Sequence, residues 1–228
     1  MLNISVITNT FAVIAGALIG LLLKKNISER FQDILFQSVG IVTALIGISM
    51  GLEANNFLVV LSSMALGGLI GEGIKIEDKI GKIANKIEKS KSETTFVKGF
   101  IAATVLFLVG PVTVIGCINA GVLGDNSLIY LKSLLDFISA IILASFYGKG
   151  VLFSAASIFL VQGLFVTLSS KLSFLMDSYY LNDFTSVGGA IVIALALRIL
   201  KIKDIKAGNF LPALIVVILI NFILKFFI

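Results

Sequence analysis

Histidine and tryptophan are absent from the 228 residues, cysteine occurs once and proline twice. Without histidine there is no imidazole metal ligand, no Ser-His-Asp triad and no imidazole general base. With Cys117 alone, neither an intrachain disulfide nor a Cys-cluster metal site can form. Two prolines exclude Pro-rich linkers and collagen. Charge is scarce too: 14% of residues are charged, against roughly 25% in an ordinary soluble domain. In its place, 58% of the chain is hydrophobic and the mean hydropathy is +1.09. So little polar surface cannot cover a soluble globule, and the composition points to an all-α integral membrane protein with several spans.

A hydrocarbon layer of about 30 Å takes about 20 apolar helical residues. Eight stretches qualify as predicted spans: about 4–23, 35–52, 56–74, 96–118, 130–148, 151–170, 184–200 and 208–228. Seven is the alternative count, because the fourth contains the Gly110-Pro111 step. The first stretch is no cleavable leader. It has no Lys or Arg before it, and Lys24-Lys25 follow it.

Basic residues test the count, because they accumulate on the cytoplasmic side. With the faces numbered alternately from outside, all of the 18 Lys and Arg except Lys132, Lys171 and Lys225 fall on inner connectors. The split predicts eight spans, both termini outside, in a bacterial inner membrane. It also accounts for the net charge of +5 without nucleic acid. The implied partners are the bilayer and a small cation. No cofactor or metal site is indicated.

The inner connector at 75–95 has structure of its own. Isoleucines 76, 80, 83 and 87 recur at helical spacing, with lysines 79, 82, 86 and 89 between them. This predicts a basic amphipathic helix on the inner leaflet, serving as a topology anchor or as a regulatory, lipid-sensing element.

Two words recur in order. Phe36-Gln37-Ser38-Val39-Gly40 opens span two, and Phe184-Thr185-Ser186-Val187-Gly188 opens span seven. Asn56-Phe57-Leu58 opens span three, and Asn209-Phe210-Leu211 opens span eight. Five spans separate each pair, so the members cross in opposite directions. Residues 1–74 and 151–228 then form an inverted-topology repeat of three spans each, with two central spans at 96–148. Transporters are commonly built this way, with sites near the midplane.

Several runs carry a family resemblance: Thr8-Asn9-Thr10, Gly16 to Lys25, Gly47-Ile48-Ser49-Met50, Leu66 to Glu72, Lys132 to Asp136, Gly148 to Ala155, Val187-Gly188-Gly189 and Gly208 to Leu214. In that order they resemble the bacterial "domain of unknown function 554" membrane proteins over nearly the whole chain. The resemblance implies a candidate sodium channel or pump with a suggested link to biofilm formation. It brings no catalytic motif.

An ionisable side chain inside hydrocarbon costs about 2.5–3.5 kcal/mol on insertion scales, so each needs a reason. Asp136 lies well inside span five. Ser133, Asp136 and Ser139 follow one another at i, i+3, i+6, giving one small polar face. That face could bind Na⁺ or H⁺. Equally, Asp136 could be a carboxylate hydrogen-bonded to a neighbouring helix, or one reaching the outer surface. The Gly110-Pro111 break frees carbonyls that, with Thr104, Thr113 or Asn119, could ligate a hard cation. Its alternative is a satisfied packing kink. The repeat pairs Ser38 with Ser186, and Asn56 with Asn209. Near helix N-termini these could favour an anion, or act as ordinary caps. Glu72 and Arg198 fall at inner span ends, where snorkelling accounts for them. Gly16/Gly20, Gly47/Gly51 and Gly67/Gly71 fit small-xxx-small packing, within the chain or in a homo-oligomer.

No enzyme is expected, since neither a nucleophile–base pair nor paired aspartates is visible inside the spans. The functional expectation is a small-cation channel or secondary transporter, Na⁺ or H⁺-coupled. A non-transporting scaffold or sensor affecting adhesion, and a transporter of a small organic anion, are the alternatives.

Overall fold

The computed structural model describes residues 3–23, 29–87 and 93–227, and all the regular structure there is helical. Lys24, Lys25, Lys89 and Lys91, with the side chains of Ile83, Lys86 and Ile87, lie outside the described residues. The helices are α1 Ile4–Leu23, α2 Glu29–Gly51, α3 Phe57–Ile74, α4 Ile76–Ile87, α5 Glu93–Leu108, α6 Pro111–Val122, α7 Ser127–Tyr147, α8 Lys149–Thr167, α9 Ser169–Leu172, α10 Ser178–Ile199 and α11 Ala213–Phe227. Short 3₁₀ turns at Ser173–Met176 and Ala207–Phe210 precede α10 and α11.

Local chemistry sets the boundaries. Asn3, Asn56 and Asp177 each accept the backbone N–H two residues on, capping α1, α3 and α10. Lys75 adopts the left-handed conformation (φ 54°) and ends α3 one residue before α4 begins. Gly148, at φ 73°, makes the turn between α7 and α8. Six of the described helices are long and apolar enough to cross a membrane; the α5/α6 pair, bent by 59°, makes a seventh if it is one span. The apolar part of α2, Gln37–Gly51, is shorter. The sequence-predicted eight thus correspond to six long helices, a bent pair and a short apolar segment. Large apolar side chains cover the protein surface, among them Phe11, Leu22, Leu58, Leu69, Ile215, Phe222 and Phe226. In water such a surface would be an aggregation hazard; facing lipid it is the expected solvent contact.

The helices form two compact units. The first comprises residues 1–32 and 84–176. In it, Gly16 of α1 lies against the Phe137 carbonyl of α7, and Gly20 against the Ile141 carbonyl, so the two helices run parallel in close contact. Gly150 at the start of α8 touches Phe96 O of α5, and Gly121 of α6 touches Val166 O near the end of α8. The bent pair therefore runs alongside α8 from one end to the other. A re-entrant loop would bring both its ends to the same end of α8, so α5/α6 is one broken crossing.

A Cβ at Gly20 would meet backbone, which cannot swing away. Gly20→Ala is expected to lower stability by about 1–3 kcal/mol. Gly163→Ala on α8, with nothing within 4 Å, should be neutral or stabilising. Thermal unfolding of the detergent-solubilised variants checks this; equal stability of the two would remove the close α1–α7 contact.

The second unit comprises residues 33–83 and 177–228. Its centre is α10, buried around most of its circumference. Gly40 of α2 lies by Leu200, Gly47 by Ile193, and Gly189 by Gly51 N, so α2 and α10 are antiparallel. Gly67 of α3 lies against Ala213 and Gly71 against Asn209 O, so α3 and the α11 segment are antiparallel too. The small-xxx-small glycines Gly16, Gly20, Gly47, Gly67 and Gly71 thus serve packing within the chain.

Exposed Asp177 accepts the Tyr179 N–H and pairs with Lys225, and these contacts hold its carboxyl below the usual carboxylate range. A depressed folded-state value stabilises above the unfolded one and is lost as pH falls through the folded one. Acidification is therefore expected to loosen the start of α10, and Asp177→Asn should remove that pH dependence. Hydrogen exchange of residues 178–182 across the acid range checks this.

Candidate functional site

The first unit holds a buried polar cluster drawn from three helices. Lys132 Nζ donates to Asp136 Oδ1 at 2.9 Å, one turn on along α7. Asn9 Nδ2 of α1 donates to Asp136 Oδ2 at 3.1 Å and to Gln162 Oε1 of α8 at 3.2 Å. The Lys132 and Asp136 side chains are only 10% and 6% exposed, so solvent screening does not weaken this pair as it would a surface one. Asn9 and Gln162 are fully buried. Asn9 Oδ1 and Gln162 Nε2 have no hydrogen-bond partner, and each such orphan costs about 1–3 kcal/mol.

Depth follows from helix geometry. Asp136 is the tenth residue of the 21 in α7, so it lies about 13 Å along a helix of roughly 30 Å. A lysine near a span end ordinarily snorkels to the interface. Lys132 instead reaches toward the middle of its helix. The charge split counts it on the outer side, near the start of the predicted span 130–148; in the structure it lies in α7 and is the partner of Asp136. Of the predicted readings of Asp136, the structure shows the carboxylate hydrogen-bonded to neighbouring side chains, deep in α7. Ser133 is buried, but its hydroxyl donates to Ile129 O. Ser139 is half-buried on the same helix.

The Gly110-Pro111 break is a satisfied kink. Proline deprives the carbonyl four residues back of its donor, here Phe107 O. Thr113 Oγ1 donates to that carbonyl at 3.2 Å. Gly110 O accepts from Thr113 N and Val114 N. The carbonyl that the proline leaves open and Gly110 O are therefore both engaged, the first of them by the Thr113 hydroxyl. Asn119 O closes the end of α6, accepting from Leu123 N and Asp125 N.

The repeat-paired residues do not form an anion site. Ser38 and Ser186 lie inside α2 and α10 rather than at helix N-termini. Ser38 is exposed and bonds back to Ile34 O, while buried Ser186 donates to Gly51 O at 2.8 Å. The asparagines do act as caps. Asn56 caps α3, and Asn209 Oδ1 accepts Glu77 N in the first turn of α4.

Two further buried carboxylates escaped the sequence reading. Asp183 in α10 accepts the N–H of Asn55 (2.8 Å), the N–H of Asn56 (3.1 Å) and Asn221 Nδ2 (3.0 Å). Glu77 accepts Arg198 Nη1 at 3.0 Å on both oxygens and Gly208 N at 2.9 Å. Arg198 Nε also lies 2.7 Å from Asp204 Oδ1, an ion contact without hydrogen-bond alignment. Arg198 therefore does not snorkel; its side chain is 8% exposed. Glu72, exposed, accepts Asn209 Nδ2. The first turn of α4 is thus pinned by a buried acid rather than lying free on a membrane surface. Among the described residues no group of three or more His, Cys, Asp or Glu could hold a metal ion.

The model of the family described as "Protein of unknown function (DUF554)" matches residues 4–222. The chain is similar to "Uncharacterized membrane protein YdfK" of Bacillus subtilis (strain 168), 32% identical over 225 residues, covering 97% of this chain and 96% of the relative. It is also similar to "Uncharacterized protein YqgA" of Escherichia coli (strain K12), 29% identical over 214 residues and 91% of each chain. No solved structure matches.

Proposed function

Because this chain belongs to the DUF554 family and is a multi-pass membrane protein, we propose that it moves a small cation, Na⁺ or H⁺, across the bacterial inner membrane. The observation that carries the reading is the Lys132–Asp136–Asn9–Gln162 cluster. A carboxylate and an ammonium near mid-helix are expensive in hydrocarbon, and intramembrane ionisable groups mark ion and proton pathways. The donor set is rich in oxygen, as hard cations require. Antiparallel packing of α2 with α10 and of α3 with the α11 segment supports an inverted repeat, the architecture of many secondary transporters. In this reading the lysine-rich helix ends face the cytoplasm and both termini face outward.

Reconstitution into liposomes tests it. Uptake of ²²Na⁺, or a pH-dye response to an imposed Na⁺ gradient, should exceed that of empty vesicles. Folded, correctly incorporated protein giving no flux of either ion across the neutral pH range overturns the reading.

A further inference from the structure

We propose that Asp183 binds a monovalent hard cation such as Na⁺, between α10, α11 and the turn that leads into α3. This goes beyond the Asp136 reading, and either site can fail without the other. Buried Asp136 and Glu77 each face a basic side chain, Lys132 and Arg198. Asp183 is 2% exposed, and its donors are the N–H groups of Asn55 and Asn56 and Asn221 Nδ2, all uncharged. Through the two backbone groups the start of α3 adds a partial positive charge, less than the full one that Lys132 or Arg198 brings. Lys225, one turn beyond Asn221 on α11, is engaged elsewhere. Its Nζ pairs with Asp177 at 3.3 Å and lies 5.5 and 5.0 Å from the Tyr179 and Tyr180 ring centres. A buried carboxylate so incompletely balanced draws a cation.

The ligands are oxygens that side-chain amides now touch. Asn221 Nδ2 lies 3.0 Å from Asp183 Oδ2 and 3.4 Å from Tyr179 O. Asn55 Nδ2 lies 3.3 Å from the same carbonyl and 2.9 Å from Ser178 O, while Asn55 Oδ1 accepts Asn182 Nδ2 at 3.1 Å. An amide carries a donor and an acceptor of nearly the same size. A half-turn of the Asn221 amide therefore brings Oδ1 to the place of Nδ2. Asp183 Oδ2, Tyr179 O and Asn221 Oδ1 then converge on one point, and hard cations take carboxylate, backbone and amide oxygens of this kind.

Charge sets the class of ion. One carboxylate balances one positive charge, whereas a divalent ion would leave an excess in a buried place, where it is costly. Position sets the way in. Asp183 is the sixth residue of α10, so it lies about 8 Å from that helix's start. Asn55 is exposed and Asn182 half-buried at the same end, which gives an arriving ion polar groups in place of hydrocarbon.

The test uses the purified full chain in detergent, with ²²Na⁺ as probe and choline chloride holding the ionic strength. Bound Na⁺ per chain and the thermal midpoint are read together. The unaltered chain should be more stable in NaCl than in choline chloride, as a ligand of the folded state requires. Asp183→Asn keeps an acceptor for the Asn55 and Asn56 N–H groups and removes the charge. It should bind one Na⁺ fewer per chain than the unaltered chain. Asn221→Ala should weaken this site about tenfold through the loss of one oxygen ligand. Asp136→Asn should keep it. Equal Na⁺ binding by the unaltered chain and Asp183→Asn, or loss of all Na⁺ binding in folded Asp136→Asn, overturns the Asp183 site and leaves the Asp136 reading standing. No Na⁺ binding by the folded, unaltered chain overturns it too, and H⁺ flux in liposomes then decides the transport reading separately. If Asp183→Asn does not fold, Asn221→Ala decides, and an unchanged Na⁺ affinity there overturns the proposal.

Discussion

Asp136→Asn is expected to destabilise the chain by about 3–5 kcal/mol, because it strands the Lys132 ammonium inside the first unit without its carboxylate. The asparagine keeps the side-chain shape, so the loss reports charge rather than a cavity. Adding Lys132→Met removes the stranded charge, and the double variant should regain most of the lost stability. Neither variant should transport Na⁺, since both lack the carboxylate. Unfolding by denaturing-detergent titration gives the stabilities, and ²²Na⁺ uptake gives the function. A single variant as stable as the unaltered chain would mean that the pair is already wetted and screened. Na⁺ uptake surviving in either variant would remove Asp136 from the site. Stability regained with function lost would separate the structural and functional roles of this carboxylate.

Glu77→Gln is expected to have the largest effect in the second unit. Glu77 neutralises Arg198 and also takes the Gly208 N–H. Glutamine keeps one acceptor but not the charge. Arg198 would keep Asp204 as an ion partner, and that carboxylate is mostly exposed. A loss of about 3 kcal/mol is expected. It should be local: hydrogen exchange should rise in α4 and in residues 200–210, while α1 and α7 of the first unit stay protected. Uniformly raised exchange, or none, would show that Glu77 does not hold α4 to the α10–α11 connection.

Much of this architecture was legible because the membrane imposes simple demands. Length and apolarity marked the helices, and the Gly110-Pro111 break is where the α5/α6 bend occurs. The Ser133/Asp136 face could be read from a period of 3.6. Lys132 could have been read as well, since it stands four residues before Asp136, the spacing of a helical ion pair; counting it only as an outer-side charge hid this. Asp183 was missed for a related reason. The predicted span begins at 184, after the polar stretch Ser178 to Asp183, whereas the Asp177 cap starts the helix six residues earlier and draws that carboxylate into it. Glu77 lies in a helix whose lysines suggest a free surface, and nothing local to it announces Arg198, 121 residues away.

The sequence by itself determined that this chain lives in a bilayer as a set of helices, because hydropathy and helical periodicity are local properties summed over about 20 residues. Which polar groups meet was decided only by tertiary structure. Asn9 reaches Asp136 across 127 positions and Gln162 across 153, and Thr113 answers the carbonyl that Pro111 leaves open. A buried polar atom must be satisfied by whatever packing brings near it, and no window along the chain contains that information.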